Sequence, residues 1–230
     1  MTAQYVPLNN NVHKNIKVKQ ALELKEFEKH HMLPLVVQEF MPAATSFPII
    51  FAKNTESGEF QPVAITSLKP ESNQFIKDGK WTQRYVPMQL RVAPFIAGPD
   101  EANQKLMIGI NQNSELLSED EGVALFDEQG EQTEFLKDRV KFIGQLFDFR
   151  EMTKQFVKTL ADHDLLHPKT LTVNGKDGAK ANYDGIYMVD EQKLHQLSDE
   201  AKLELFNKGA LSAIYAHLAS LNQIDLVMSN

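Results

Sequence analysis

The hydrophobic pattern changes period near residue 131, and that switch constrains the fold more than any other feature. Before it, apolar residues come in short runs broken by Pro and Gly, such as 48–53 and 59–68. After it, Phe135, Arg139, Phe142, Ile143, Leu146, Phe149, Met152, Phe156, Val157 and Leu160 recur at spacings of three and four. Runs of strand length between turn residues read as β-strands, whereas three–four spacing lines up one face of an α-helix. The expected class is therefore α+β: a mainly antiparallel sheet from the N-terminal half, covered by a long helix over 131–164 and by C-terminal helices. A single domain over 1–230 is expected, β-rich over 1–130 and mainly helical over 131–230, because so aromatic a helix needs a large apolar face to cover.

Local signals fill in this outline. Residues 5–8, 16–18, 85–92 and 105–110 are strand candidates, and 22–31 has helical spacing ended by Pro34. Asn54-Thr-Glu-Ser-Gly58 joins two strands, and Lys77-Asp-Gly-Lys80 is a second hairpin turn. A later hairpin, 170–173 with 183–189 about Asn174-Gly-Lys-Asp-Gly178, extends or flanks the sheet. One helix begins after Ser198, and a last one, 210–221, follows Gly209.

Composition removes several function classes. The formal charge is −7 over 230 residues, with no dense basic cluster, which argues against a nucleic-acid partner. The absence of cysteine rules out disulfides, thiolate metal sites and cysteine nucleophiles. No apolar run approaches the roughly 18 residues of a membrane helix, so no membrane span is expected. The N-terminus shows neither a basic leader nor a secretory apolar run, so a cytoplasmic location is expected. Gly-x-Gly-x-x-Gly, the P-loop, His-Glu-x-x-His and Gly-x-Ser-x-Gly are all missing. No cofactor is expected.

The densest candidate for recognition is 79–95, with the sole tryptophan, Trp81, the arginines Arg84 and Arg91, Tyr85 and two X-Pro steps. Aromatic and Arg side chains dominate binding surfaces, so Trp81, Arg84, Tyr85 and Arg91 are the candidate ligand contacts. His31 and Glu39 are the candidate acid–base pair, since Glu39 between Val37 and Phe40 stands to be desolvated. The competing reading of Glu39, a structural partner of Arg84 or Arg91, is favoured. His163 and His167 stand four apart, but Pro168 marks a helix end, so they need not converge and no metal is expected. The acidic stretch 115–134 lacks the alternating ligand pattern of a calcium loop and reads as a solvated turn before a helix. The Phe stripe of the long helix reads as core before it reads as a ligand pocket, and His217 reads as a packed, hydrogen-bonded histidine.

In order along the chain, His31-x-x-Pro-Leu-Val, Glu39-Phe, Phe47-Pro-Ile-Ile-Phe51, Trp81 with Tyr85-Val-Pro87, Pro94-Phe95, Gly122 with Leu125-Phe126, Leu165-Leu166, Gly185 with Tyr187, and His217-Leu resemble the SapC family of bacterial proteins. This chain has Arg91-Val-Ala where the family has a more basic and aromatic run, and Asn73-Gln-Phe where it has Asn-Leu-Phe. The family name implies a bacterial surface layer and hence a cell-surface setting. The resemblance also implies neighbourhoods with outer-membrane receptors, and it carries over no catalytic residue. The leading expectation is an accessory binding protein for a peptide, glycan or protein partner. The alternative is an enzyme or cofactor-assisted modifier using His31 and Glu39, and a third reading is a self-assembling, homo-oligomeric surface subunit.

Overall fold

The computed structural model describes residues 4–20, 24–100, 105–174 and 180–228. Its largest sheet has five antiparallel strands in the order Leu166–Asn174, Lys180–Val189, Ile49–Lys53, Phe60–Ile65, Met32–Pro34. The central strand is apolar on both faces, with Ile49, Ile50 and Phe51 wholly buried, as a strand covered on both sides requires. The late hairpin therefore extends the sheet, through Ile186 and Tyr187 opposite Ala52 and Phe51. Its expected turn, 175–178, lies outside the described residues. Asn54 builds the earlier turn, its side-chain oxygen accepting from the Glu56 and Ser57 amides at 2.8 and 3.0 Å.

Two compact units divide the chain, each assembled from separate stretches. The second unit holds the five-stranded sheet and comprises Lys29–Phe75, Gln83–Pro87 and everything from Phe149 onward. Its core is aromatic. Phe40 meets Phe156 edge-on at 5.7 Å and Phe51 at 6.3 Å, and the His217 ring lies 5.1 Å from Phe51. The helix Ala210–Ser220 buries Ala210, Ala213 and Ala216 beside Ile214 and His217, small side chains that let a helix lie close to its neighbours. His217 and Ser220 then bond directly to the central strand at Ile49.

The first unit comprises the chain up to Glu28, Ile76–Thr82 and Met88–Asp148. Tyr5–Pro7 and Phe95–Asp100 flank Lys105–Asn111 in one sheet, and Leu117–Ser118 and Val123–Ala124 flank Lys17–Val18 in another. The hairpin Ile76–Lys77 with Lys80–Trp81 turns through Asp78 and Gly79, both with positive φ (51° and 74°), as a tight hairpin turn demands. Gly122 has φ 112°, and a Cβ there would lie 2.5 Å from the Val18 carbonyl oxygen.

The long helix runs Glu134–Asp162, and Thr133 caps it by accepting the Leu136 amide at 3.3 Å. Its first part, to Asp148, belongs to the first unit and the rest to the second. The buried face keeps Ile143, Leu146, Phe156, Val157 and Leu160 of the expected stripe but shifts by one residue at two places, Leu136 for Phe135 and Thr153 for Met152. Leu136, Ile143, Leu146, Thr153, Phe156, Val157 and Leu160 are buried, whereas Met152 is 56% exposed. Thr153 takes the inward place because its hydroxyl has work there, accepting from the Val37 amide at 2.8 Å and donating to the Phe149 carbonyl at 2.6 Å.

Two further expectations are corrected. Where helix is expected over 22–31, residues 21–23 lie outside the described set, Lys25–Phe27 forms a single 3₁₀ turn and Met32–Pro34 is a strand. The pattern there is too short to sustain a helix: Leu24 is buried, while Glu26, Glu28, Lys29 and His30 are exposed. Where strand is expected over 85–92, Met88–Arg91 forms a helical turn after Pro87, burying Leu90. Among the described residues no helix is long and apolar enough to cross a membrane.

Candidate functional site

A cleft of about 560 Å³ opens in the second unit, within the size range of small-ligand sites. Three segments build it. The turn Val37–Glu39 leads into the short helix Phe40–Ala43, supplying Gln38, Phe40 and Met41. The long helix presents Met152, Gln155, Phe156 and Thr159, whose three–four spacing sets them on one face. Gly209, in the left-handed conformation (φ 67°), starts the helix Ala210–Ser220 and brings Ser212 and Ala213 to the wall.

The walls are mostly apolar. Met41 is 65% exposed and Met152 56%, so two unbranched thioethers, which adapt readily to a partner's shape, flank the opening. The charged wall residue Lys208 is already engaged: its Nζ donates to Glu204 Oε1 at 2.7 Å and to Thr159 Oγ1 at 3.5 Å. Hydrogen bonding and charge from Lys208, with a smaller effect of His163, hold Glu204 below the usual carboxylate range. The Ser212 hydroxyl donates to the Gly209 carbonyl at 2.9 Å. Gln38 differs. Its Nε2 donates to the Met152 sulfur at 3.3 Å, a weak acceptor. Its Oε1 is shielded from solvent and has no hydrogen-bond partner among the described residues.

Beneath this wall lies a buried carboxylate. Glu39 is 1% exposed; its Oε2 accepts the Val36 amide at 3.0 Å and its Oε1 the Tyr85 hydroxyl at 2.9 Å. The nearby Arg150 guanidinium is pushed down in pKa by burial, against the opposing pull of the Glu39 charge. These donors spend Glu39 on fixing the turn that carries Gln38 into the cleft. With the fold and the cleft in place, the comparison with known families is decisive: the model for SapC matches residues 8–226. The chain belongs to the SapC family. No curated protein and no solved structure matches it.

In this SapC-family chain the residues singled out by sequence divide between the two units. Trp81 is half-buried on the hairpin opposite Ile76. The exposed Arg91 sets its guanidinium 4.7 Å from the centre of the Phe142 ring, and its carbonyl accepts from Arg139 Nη1 at 3.3 Å. Both belong to the first unit, whereas the exposed Arg84 and the half-buried Tyr85 belong to the second. The structure brings Tyr85 and Glu39 into contact, with the Tyr85 hydroxyl donating to the carboxylate. His31 is half-buried, and its carbonyl accepts from the Thr66 and Ser67 amides at 2.9 and 3.3 Å. The cleft walls are formed by residues other than His31 and Glu39.

His163, His167 and His217 of the SapC-family chain have structural partners. His163 Nε2 lies 3.4 Å from Glu204, and His167 Nε2 lies 3.3 Å from the Asp164 carbonyl. Among the described residues no group of three or more His, Asp or Glu side chains is placed to hold a metal. His217 accepts the Val189 amide at Nε2 (3.1 Å) and donates from Nδ1 to the Ile49 carbonyl (2.8 Å). Burial pushes its pKa down to about 4, so it is neutral at neutral pH. Sequence reasoning missed Gln38, Met41 and Met152. The available signal was Thr153: shifting the helical stripe by one residue puts Met152 outside the core and at the rim of the cleft.

Proposed function

We propose that this SapC-family chain is a binding protein rather than a catalyst, and that its recognition site is the cleft between Gln38, Met41 and Met152. The observation that supports this is the makeup of the walls. They offer an open apolar surface with adaptable thioethers, while their lysine is neutralised by Glu204. General acid–base catalysis asks for a titratable group within reach of the reacting atoms. The carboxylate of the candidate pair, Glu39, is instead committed to Val36 and Tyr85, which weighs against the His31–Glu39 reading. A peptide, glycan or protein partner held at Trp81, Arg84, Tyr85 or Arg91 is a separate form of the binding reading, and the surface-layer setting implied by the family name accords with it.

Methionine methyl NMR tests the cleft directly. Titration with the neutral apolar probe N-phenyl-naphthylamine is expected to shift the Met41 and Met152 methyl signals together, and Ala213→Leu, which fills the cleft wall, is expected to abolish the shift. Probe binding that leaves both methyl signals in place, or that survives the substitution in a folded variant, overturns the assignment of the cleft as the recognition site.

A further inference from the structure

Among the described residues, Gln38 Oε1 is the buried side-chain acceptor on the cleft wall that lacks a partner, and it specifies what the cleft takes. It is shielded and without a donor, while the Nε2 of the same amide has only a thioether to bond. A buried acceptor left unpaired is a local cost, and thioether sulfur repays little of an amide donor's need. The amide therefore loses little by turning about its terminal torsion, which is soft. Such a turn exchanges the two ends: Nε2 takes the shielded place, and Oε1 takes the exposed one beside Met152, where a ligand donor bonds to it.

The charges narrow the choice further. The Lys208 ammonium lies 2.7 Å from a Glu204 carboxylate oxygen, so an anionic ligand finds no uncompensated cation and a cationic one no free carboxylate on the wall. Beside the polar Gln155, Thr159 and Ser212, the lining is largely apolar, with Phe40, Phe156, Met41, Met152 and Ala213, and rewards apolar area. A volume of about 560 Å³ suits a small organic molecule. Resting on the binding reading above, we infer that the cleft takes a neutral, largely apolar small molecule bearing one O–H or N–H donor, which bonds to Gln38 Oε1.

A matched pair of probes tests this, naphthol against its methyl ether methoxynaphthalene, which differ in the donor. Affinities are measured by titration calorimetry and located by the Met41 and Met152 methyl signals. The wild-type chain is expected to bind naphthol roughly five- to tenfold more tightly than the ether, the effect of one added hydrogen bond. In Gln38→Met, which keeps length and apolar contact but lacks the acceptor, the two affinities are expected to converge. A second variant, Gln38→Leu, guards against loss of folding, and thermal melting confirms that each variant is folded. Equal wild-type affinities, a preference for the ether, or a naphthol preference that persists in both variants overturns the donor inference while leaving the binding reading intact. If neither probe moves the two methyl signals, the cleft itself is not the site, and both proposals fall.

Discussion

In the second unit, the central strand buries Ile49, Ile50 and Phe51 completely, and the aromatic contacts around Phe51 extend to Phe40, Phe156 and His217. In the first unit, most strands have only two or three residues, and polar side chains stitch the segments together. Asn111 accepts the Gln4 and Asn113 amides and donates to Glu26, which also receives the Ser114 hydroxyl. Lys14 and Lys17 donate to the carbonyls of Glu128 and Asp120. Stability in the second unit thus rests on shared apolar burial, where one lesion is felt widely. In the first it rests more on local fit between backbone segments, where a lesion stays near its origin.

The largest effect expected from this contrast is at Phe51. Phe51→Ala removes a ring in contact with three others and is expected to cost about 4 kcal/mol in a urea unfolding titration. A loss under about 1 kcal/mol would mean that the aromatic cluster does not hold the second unit together.

Acid separates the units next. His217 titrates at about 4 in the folded chain against 6.5 for an unperturbed histidine. The unfolded chain therefore takes up this proton first as pH falls, and folding stability drops between pH 6.5 and 4. The full shift corresponds to about 3 kcal/mol, and below pH 4 the penalty no longer grows. His217→Gln is expected to remove this part of the pH dependence. An unchanged profile in the variant shows that other groups govern acid unfolding.

A smaller and more local effect is expected at Gly122, where the φ of 112° and the Val18 carbonyl leave no room for a side chain. Gly122→Ala is expected to cost about 2 kcal/mol. Hydrogen exchange is expected to quicken at Lys17–Val18 and Val123–Ala124, while the amides of Ile49–Lys53 keep their protection. Equal loss of protection in both places would break the contrast between the units.

Much of the fold was legible because its signals are local. The Asp78-Gly79 turn, the Ser198 cap and the apolar run 49–51 each name their own structure, and the helix Glu134–Asp162 follows from its period. What was not legible depends on partners distant in sequence. Tyr85 reads as strand, and nothing in the sequence joins it to Glu39 until the fold sets its hydroxyl on that carboxylate. The cleft was hidden for a similar reason. Met152 and Thr153 both fit a helical stripe, and only the Val37 amide, arriving from more than a hundred residues away, decides which of them turns inward. Gln38 carries no sequence signal, since an amide's lack of a partner is a property of the finished packing.

The order of strands in the large sheet has a consequence for how the protein is made. A ribosome delivers Ile49–Lys53 and Phe60–Ile65 first, yet the strand Lys180–Val189 that completes the other side of Ile49–Lys53 emerges more than a hundred residues later. Until then the nascent chain carries an unpaired apolar strand edge, the kind of surface that recruits other chains. Every residue assigned to the first unit has by that point been translated. Synthesis therefore delivers one unit whole while the other waits, and the waiting sheet is the stage at which aggregation, or protection by a chaperone, decides the yield.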